Sequence, residues 1–422
     1  MKLNIQHYIA GIALFATSIF GVKGQQNESL TFQEFLNQVG SKNLSYAAQK
    51  YNVSMSEAAI RTASMFPDPQ LGLDGSDNGI NRQMGYTIGG NIGWTLEMGG
   101  KRKARIDLAR NNSELSKIQL EDFFRNLRAD ATSSYVDALK AKSLLDVQKD
   151  SYKNMNQLAK SDSIRYKFGA ISLVTSKQSK LEASSLLNDV YQAESDAQQA
   201  ITGLSVFLGS DAAPADVEGN FESFNRDFNL DDLITQALNT RADLLAAKQN
   251  TKVTQSQINL EKANRKIDLG LTAGMSHNTT ATNDIAPSPA VNAAQLGVSI
   301  PLKFSNKRNA DLKIAEMANS QAEIEYQQAE KSIRAEVTQA YQQYQATQKQ
   351  LKQYHNGMLA DAKSILEGIT YGYKRGESSI LEVLNAQRTY NETRQNYFQL
   401  LADNAKALID LERKTGIWDI EF

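Results

Sequence analysis

The chain has 422 residues and a formal net charge of -1, a balance that indicates no nucleic acid or other polyanionic partner. Cysteine is absent, which excludes disulfides, thiolate metal sites and an acylated N-terminal cysteine. Six prolines and an aromatic content of 8% favour long helices with narrow apolar seams over thick globular cores.

The N-terminus predicts a targeting segment. Lys2 precedes an apolar run at 8–20, which is too short to span a bilayer as a helix. Residues 1–24 are therefore predicted to be a cleaved signal peptide. No other stretch approaches the length of a membrane-spanning helix, so any membrane passage of the mature chain is expected to use strands.

Four segments have the alternation of β-strands. From Tyr86 to Leu96 apolar residues alternate with Gly, Thr and Asn. Tyr86 and Trp94 lie on the apolar face about 27 Å apart, close to the spacing of aromatic girdles around a ~25 Å apolar band. Both are predicted at membrane interfaces, although a soluble sheet with one polar face stays open as an alternative. The other three predicted strands are 70–74, 267–276 and 294–302.

Between the strands the pattern is helical. From Lys101 to about Phe168 apolar residues recur at spacings of four and three, which is typical of a coiled coil. Gly169 ends this segment, and a return helix is predicted over 172–208. A second long helix is predicted over 310–372, with its break at Gly376.

The two halves of the chain look like one unit used twice. Each half has short helices, two strands, a basic strand-to-helix junction and a long helical hairpin. The spacing between the junction and the hairpin break is nearly equal in the two halves, which favours an internal duplication. The predicted organisation is a first repeat, a linker and a second repeat, at 25–209, 210–229 and 230–422.

The assembly follows from the strands. Four strands cannot close a barrel, and open sheet edges are not tolerated in lipid. Three copies would supply twelve strands, while the polar helices would project from the membrane. The sequence predicts a mainly α fold, in which a trimeric twelve-stranded β-barrel continues into a long α-helical coiled-coil barrel. The basic residues at both junctions would then lie near lipid phosphates or simply begin the helices in solvent.

Three motifs resemble the TolC-type outer-membrane efflux proteins over nearly all of the mature chain: WTLEMGGKR at 94–102, IPLKFSNKR at 300–308 and YKRGESSILEVLNA at 373–386. The resemblance implies a homotrimer in outer-membrane lipid, with a helical tunnel in the periplasm. It also implies docking to a periplasmic adaptor and an inner-membrane pump. FPDPQL at 66–71 is similar to the cation-efflux branch (CusC/CzcC-like), which makes the expected function a passive export conduit for heavy-metal cations or drugs.

The same resemblance implies a pore constriction. Family members carry acidic residues just after the second glycine break, and Glu382 and Asn385 stand at those positions. Tyr373 matches a tyrosine of the closing network. Ser378 stands where some members have arginine, and Thr175 where an acid partner would be, so the network is expected to be partly retained. The plainer alternative makes Glu382 a solvated helix residue.

The hairpin breaks at Gly169 and Gly376 are predicted to form the tips that contact the adaptor. This assignment also comes from the resemblance.

Catalysis has no support in the sequence. His7 lies in the signal segment, while His277 and His355 are isolated, and no nucleophile, phosphate-loop or metal-ligand motif is present. We expect no enzyme activity, cofactor or resident metal. Two alternatives remain open: a type I secretion outlet for proteins, and a periplasmic coiled-coil scaffold without a pore.

Overall fold

The computed structural model describes residues 29–79, 83–210, 213–221, 224, 226–302 and 306–420. The predicted signal peptide lies outside this part of the chain.

The first half alternates short helices, two strands and one very long helix. In chain order its elements are β1 (Leu30–Thr31), α1 (Phe32–Lys42), α2 (Leu44–Ser64), β2 (Gln70–Asp77), β3 (Tyr86–Leu96), α3 (Lys101–Lys167), α4 (Leu173–Gly203), α5 (Ser205–Leu208) and β4 (Val217–Glu218).

The second half has a similar order. Its elements are α6 (Leu230–Thr240), α7 (Ala242–Asn264), β5 (Leu269–Asn278), β6 (Val291–Ser299), α8 (Lys307–Gln353), a π-helical turn (Tyr354–Met358), α9 (Leu359–Arg375) and α10 (Ile380–Thr415).

The long strands form one antiparallel sheet in the order β2-β3-β5-β6. The predicted strands were thus located correctly, with β5 and β6 displaced by two or three residues. β6 ends before Pro301, because proline has no N–H to donate to a sheet. Since β2 and β6 each pair on one side only, both outer edges of this sheet are open.

The two faces of the sheet differ in chemistry. One row across the four strands consists of Leu71, Ile92, Ala273 and Leu296, and the leucines and isoleucine are exposed. The opposite face carries mainly Gly, Asn, Thr and Ser, together with Gln70, Asp74 and Gln295. The exposed large apolar side chains of the first face are Leu71, Leu73, Tyr86, Ile88, Ile92, Trp94, Leu271, Met275, Leu296 and Val298.

The main core lies where α3, α8 and α10 pack against α1, α6 and the parallel pair β1–β4. Tyr135 and Tyr344 are fully buried there. The Tyr135 hydroxyl lies 2.6 Å from the Glu218 carbonyl oxygen. The Tyr344 hydroxyl donates to the Phe224 carbonyl at 2.7 Å. Each tyrosine thereby satisfies its polar atom while its ring fills the core.

The long helix α3 has 67 residues, about 100 Å at ~1.5 Å per residue, as predicted. The prediction of one continuous helix over 310–372 is wrong in one respect, because the π-helical turn interrupts the helix. Gly357 has φ of +116° there, which glycine adopts without a Cβ penalty. The predicted return helix is also divided, because α4 ends at Gly203. Among the helices that the structure describes, none is long and apolar enough to cross a membrane.

Candidate functional site: the hairpin tips and the exposed sheet

The two helical hairpins turn by the same local geometry. Gly169 and Gly376 have φ of +72° and +84°, the left-handed region that favours glycine. The Ala170 N–H donates to the Arg165 carbonyl and the Glu377 N–H to the Gly372 carbonyl, both at 2.9 Å. These are Schellman turns, which satisfy the last carbonyls of a helix. We call residues 168–172 and 376–379 the tip.

Tyr373 is anchored near the tip. Its side chain is buried, and its hydroxyl donates to Asp162 Oδ1 at 2.9 Å. Arg165 lies over the Tyr373 ring at 5.0 Å and 3.7 Å from Asp162 Oδ1. Burial, together with the hydrogen bond to the carboxylate, raises the pKa of Tyr373, so the phenol stays protonated and can donate.

Sequence reasoning missed Asp162. It is fully buried, and its Oδ2 has no hydrogen-bond partner within the described residues. Thr175 lies instead in the first turn of α4, where its N–H donates to Ser172 Oγ at 3.1 Å. The buried acid that accepts from Tyr373 therefore lies on α3 and not at the position of Thr175. The available signal was an aspartate on the same long helix one turn before Arg165 and Tyr166.

Glu382 has a local role that the sequence analysis did not assign. The Ser379 N–H donates to Glu382 Oε2 at 2.7 Å, and the Glu382 N–H donates to Ser379 Oγ at 3.3 Å. This reciprocal pair is a capping box at the start of α10. Glu382 and Asn385 are both exposed on that helix. The geometry leaves the carboxylate at the surface near the second turn of the tip.

The predicted interface aromatics lie on the apolar face of the sheet. Tyr86 and Trp94 stand at opposite ends of β3 and are 47% and 41% exposed. The Trp94 indole N–H donates to the Pro67 carbonyl at 3.0 Å. The polar atom of the ring is therefore satisfied, although much of the ring surface stays open.

The basic residues at the β3–α3 junction are mostly engaged inside the chain. Lys101 is buried, and its Nζ lies 2.5 Å from Asp268 Oδ2. Arg102 donates to the Ser64 carbonyl at 2.6 Å. Arg105 pairs with Glu97 at 2.8 Å. These three side chains therefore have partners within the chain, and the expectation that the cluster lies near lipid phosphates stays a prediction.

Neither histidine in the described ranges belongs to a ligand cluster. His277 Nδ1 lies 2.7 Å from Asn292 Oδ1 at the far end of the sheet, and His355 packs near the Tyr397 ring at 6.4 Å. In this part of the chain no group of three or more His, Asp and Glu side chains is placed to hold a metal ion.

Comparison with known proteins identifies the family. The sequence profile of the outer membrane efflux proteins matches residues 36–210 and 233–416. This chain belongs to that family. It is 24% identical over 389 residues to the cobalt-zinc-cadmium resistance protein CzcC of Cupriavidus metallidurans, across 92% of this chain and 90% of CzcC.

A further relative supports the same branch of outer membrane efflux proteins, and a solved structure shows the same fold. The chain is 22% identical over 374 residues to the cation efflux system protein CusC of Escherichia coli K12, across 86% of this chain and 80% of CusC. A crystal structure of CusC matches with a TM-score of 0.75 and 20% identity over 92% of each chain. The resemblance to TolC-type efflux proteins, leaning to the cation-efflux branch, is thereby confirmed. Family and fold are those of a channel and not of an enzyme.

Proposed function

We propose that this outer membrane efflux protein is the channel of a tripartite pump, a passive conduit for heavy-metal cations across the periplasm and the outer membrane. The observation that carries the proposal is the β2-β3-β5-β6 sheet. It has a continuous exposed apolar face and two open edges, and a protein does not leave such a sheet in water.

Lipid and further copies of the chain would satisfy both features. Edge strands β2 and β6 would pair with β6 and β2 of neighbouring protomers, so that three chains close a twelve-stranded barrel. The apolar row through Leu71, Ile92 and Leu296 would face lipid. The Gly, Asn and Thr face would line the lumen. The two matched segments of the family profile would be the duplicated halves.

The helices would form the periplasmic tunnel, with the tip at its far end. Phe168, Val174 and Leu381 at or beside the tip are 84%, 64% and 61% exposed. Exposed apolar side chains clustered at one end of a long helical assembly favour a protein partner there. We propose the periplasmic adaptor as that partner, with the inner-membrane pump supplying the driving force.

The closing network would hold the tip shut. Tyr373, Asp162 and Arg165 join the ends of α9 and α3, and Glu382 with Asn385 would ring the constriction. Acidic rings favour cations in pores. The proposed cargo follows from this charge and from relatives whose names describe cobalt-zinc-cadmium resistance and cation efflux.

The experiment is extraction and reconstitution of the full-length protein. We expect it to stay in membranes washed with high salt, to dissolve in detergent as a trimer by light scattering, and to form ion-conducting pores in planar bilayers. A monodisperse monomer near 46.7 kDa or less, or release by salt alone, would contradict the channel and favour a scaffold.

Deletion of the gene in its host then tests the cargo. Loss of tolerance to cobalt, zinc or cadmium salts, restored by the wild-type gene, supports cation efflux. Unchanged metal tolerance with loss of a secreted protein would instead identify a type I secretion outlet.

A further inference from the structure

A cavity of about 330 Å³ lies between the start of α3 and the end of α7, directly beneath the sheet. Its lining includes Lys103, Lys262 and Lys266, with Asp107 as its one acidic side chain. Asp107 itself lies 3.8 Å from Arg110. The cavity therefore concentrates positive charge from two segments that are far apart in the sequence.

Two of these lysines are available to a ligand. Within the described ranges, Lys103 and Lys262 have no ion-pair or hydrogen-bond partner. Lys266 packs closely against the turn at Gly99 and Gly100: a Cβ added to Gly99 would fall 2.3 Å from Lys266 Cγ. Gly100, the N-cap of α3, also lines the cavity and offers no side-chain cap to the first turn of the helix, so a helix N-terminus, which favours anions, lies at this cavity.

In the neighbouring cavity, at the same end of the sheet, acidic side chains outnumber basic ones. This cavity measures about 720 Å³, and its lining carries four carboxylates against three basic side chains, one of which is Lys307. Anion binding is therefore favoured in the first cavity and not in the second, although both lie at the same level.

The lysine cavity stands at the level where headgroups are expected. Lys266 lies three residues before Leu269, the first residue of β5. Leu271 pairs with Trp94 on the exposed apolar face. Tryptophan is enriched at the headgroup level of membranes, and basic pockets just beyond that level bind lipid headgroups.

We propose that this cavity binds the phosphate of a phospholipid in the periplasmic leaflet, so that the lysines fix the depth of the sheet in the membrane. The proposal rests on the channel function above, because it needs the sheet to lie in lipid. It assigns the phosphate to a lipid, whose acyl chains would continue along the apolar face beside Trp94.

The test uses the full-length protein, delipidated in detergent, and titration with short-chain phosphatidylglycerol followed by native mass spectrometry. The variant replaces Lys103, Lys262 and Lys266 by Gln together. We expect at least about tenfold weaker lipid binding, since each basic side chain near a lipid surface contributes severalfold. Replacement of the same three lysines by Arg should retain most of the binding.

Lys307→Gln is the matched control, because Lys307 lies at the same end of the sheet but lines the second, acid-rich cavity. This substitution should change lipid binding by less than about twofold. Equal losses in the triple variant and in the control would overturn the assignment. So would equal binding of sn-glycerol 3-phosphate, which has the phosphate without acyl chains. For every variant, light scattering reports trimer formation and salt washing reports membrane insertion. A failure of the proposed channel function is thereby distinguished from a failure of lipid binding in the cavity.

Discussion

The buried hydroxyl of Tyr373, near the end of α9, donates a hydrogen bond of 2.9 Å to the buried carboxylate of Asp162 on α3. This bond joins helices of the two hairpins within one protomer. Asp162 Oδ2 accepts no hydrogen bond from any described residue. The buried negative charge of Asp162 is therefore stabilised mainly by Tyr373 and Arg165. Substitutions in the pair of Tyr373 and Asp162 are therefore expected to weaken the packing of the two hairpins near the tip.

Tyr373→Phe should weaken the closed tip. Removing the hydroxyl leaves the buried carboxylate without its donor, a loss of about 1–3 kcal/mol. We expect a higher basal conductance of the reconstituted channel. Asp162→Asn, which keeps an acceptor for the phenol, should have a smaller effect. Tyr371→Phe is the control, because that side chain is exposed and its hydroxyl accepts a hydrogen bond from the exposed Arg375. Equal conductance in all variants would show that the pair does not close the channel.

Glu382 is expected to set cation selectivity. Glu382→Gln should lower the cation preference of the channel without loss of the trimer, since glutamine also serves in a capping box. Glu382→Lys should reverse the preference, and Asn385→Asp should strengthen it. The measurement is the reversal potential in a salt gradient. Four identical values would place Glu382 outside the constriction.

The apolar face of the sheet should reject charge. Ile92→Arg and Leu296→Arg place a cation on the proposed lipid face, in one row of the sheet, at a cost of ~2–4 kcal/mol near the midplane, and should reduce the yield of trimer in the membrane fraction. Thr95 lies on the opposite face of β3, so Thr95→Arg is the control and should assemble normally. Equal yields at both faces would be incompatible with strands in lipid.

Glu412 should make stability depend on pH. Burial, together with the side-chain hydrogen bond to Asp419, raises the pKa of Glu412 from 4.5 to about 8. The folded state therefore holds a proton between these values that the unfolded chain has lost. The resulting stabilisation is complete below pH 4.5 and disappears as the pH rises through about 8.

The apparent Tm of the wild type should therefore fall between about pH 5 and about pH 8 and level off above that pH. In Glu412→Gln this part of the pH dependence should vanish. Glu392→Gln changes an exposed glutamate on the same helix and should leave the wild-type profile intact. Parallel profiles for all three proteins would exclude Glu412 as the titrating group.

The sequence alone determined the elements whose signals are local. Period-2 alternation identified β3 with its correct ends and both faces of the sheet, because neighbouring side chains on a strand point to opposite sides. The heptad seam gave α3 within one residue of its end. Gly169 and Gly376 marked the hairpin turns, since a left-handed helix cap favours glycine wherever the rest of the chain lies.

The tertiary structure decided what depends on residues far apart in sequence. Asp162 and Tyr373 are separated by 211 positions, and no periodicity predicts which of several carboxylates on a long helix will face a given phenol. Likewise, Lys101 and Arg105 looked like free cations until Asp268 and Glu97 were placed beside them, whereas Lys103 and Lys262 were left around one cavity. Charge pairing is set by packing in three dimensions, while turns and strand faces are set by the backbone geometry of adjacent residues.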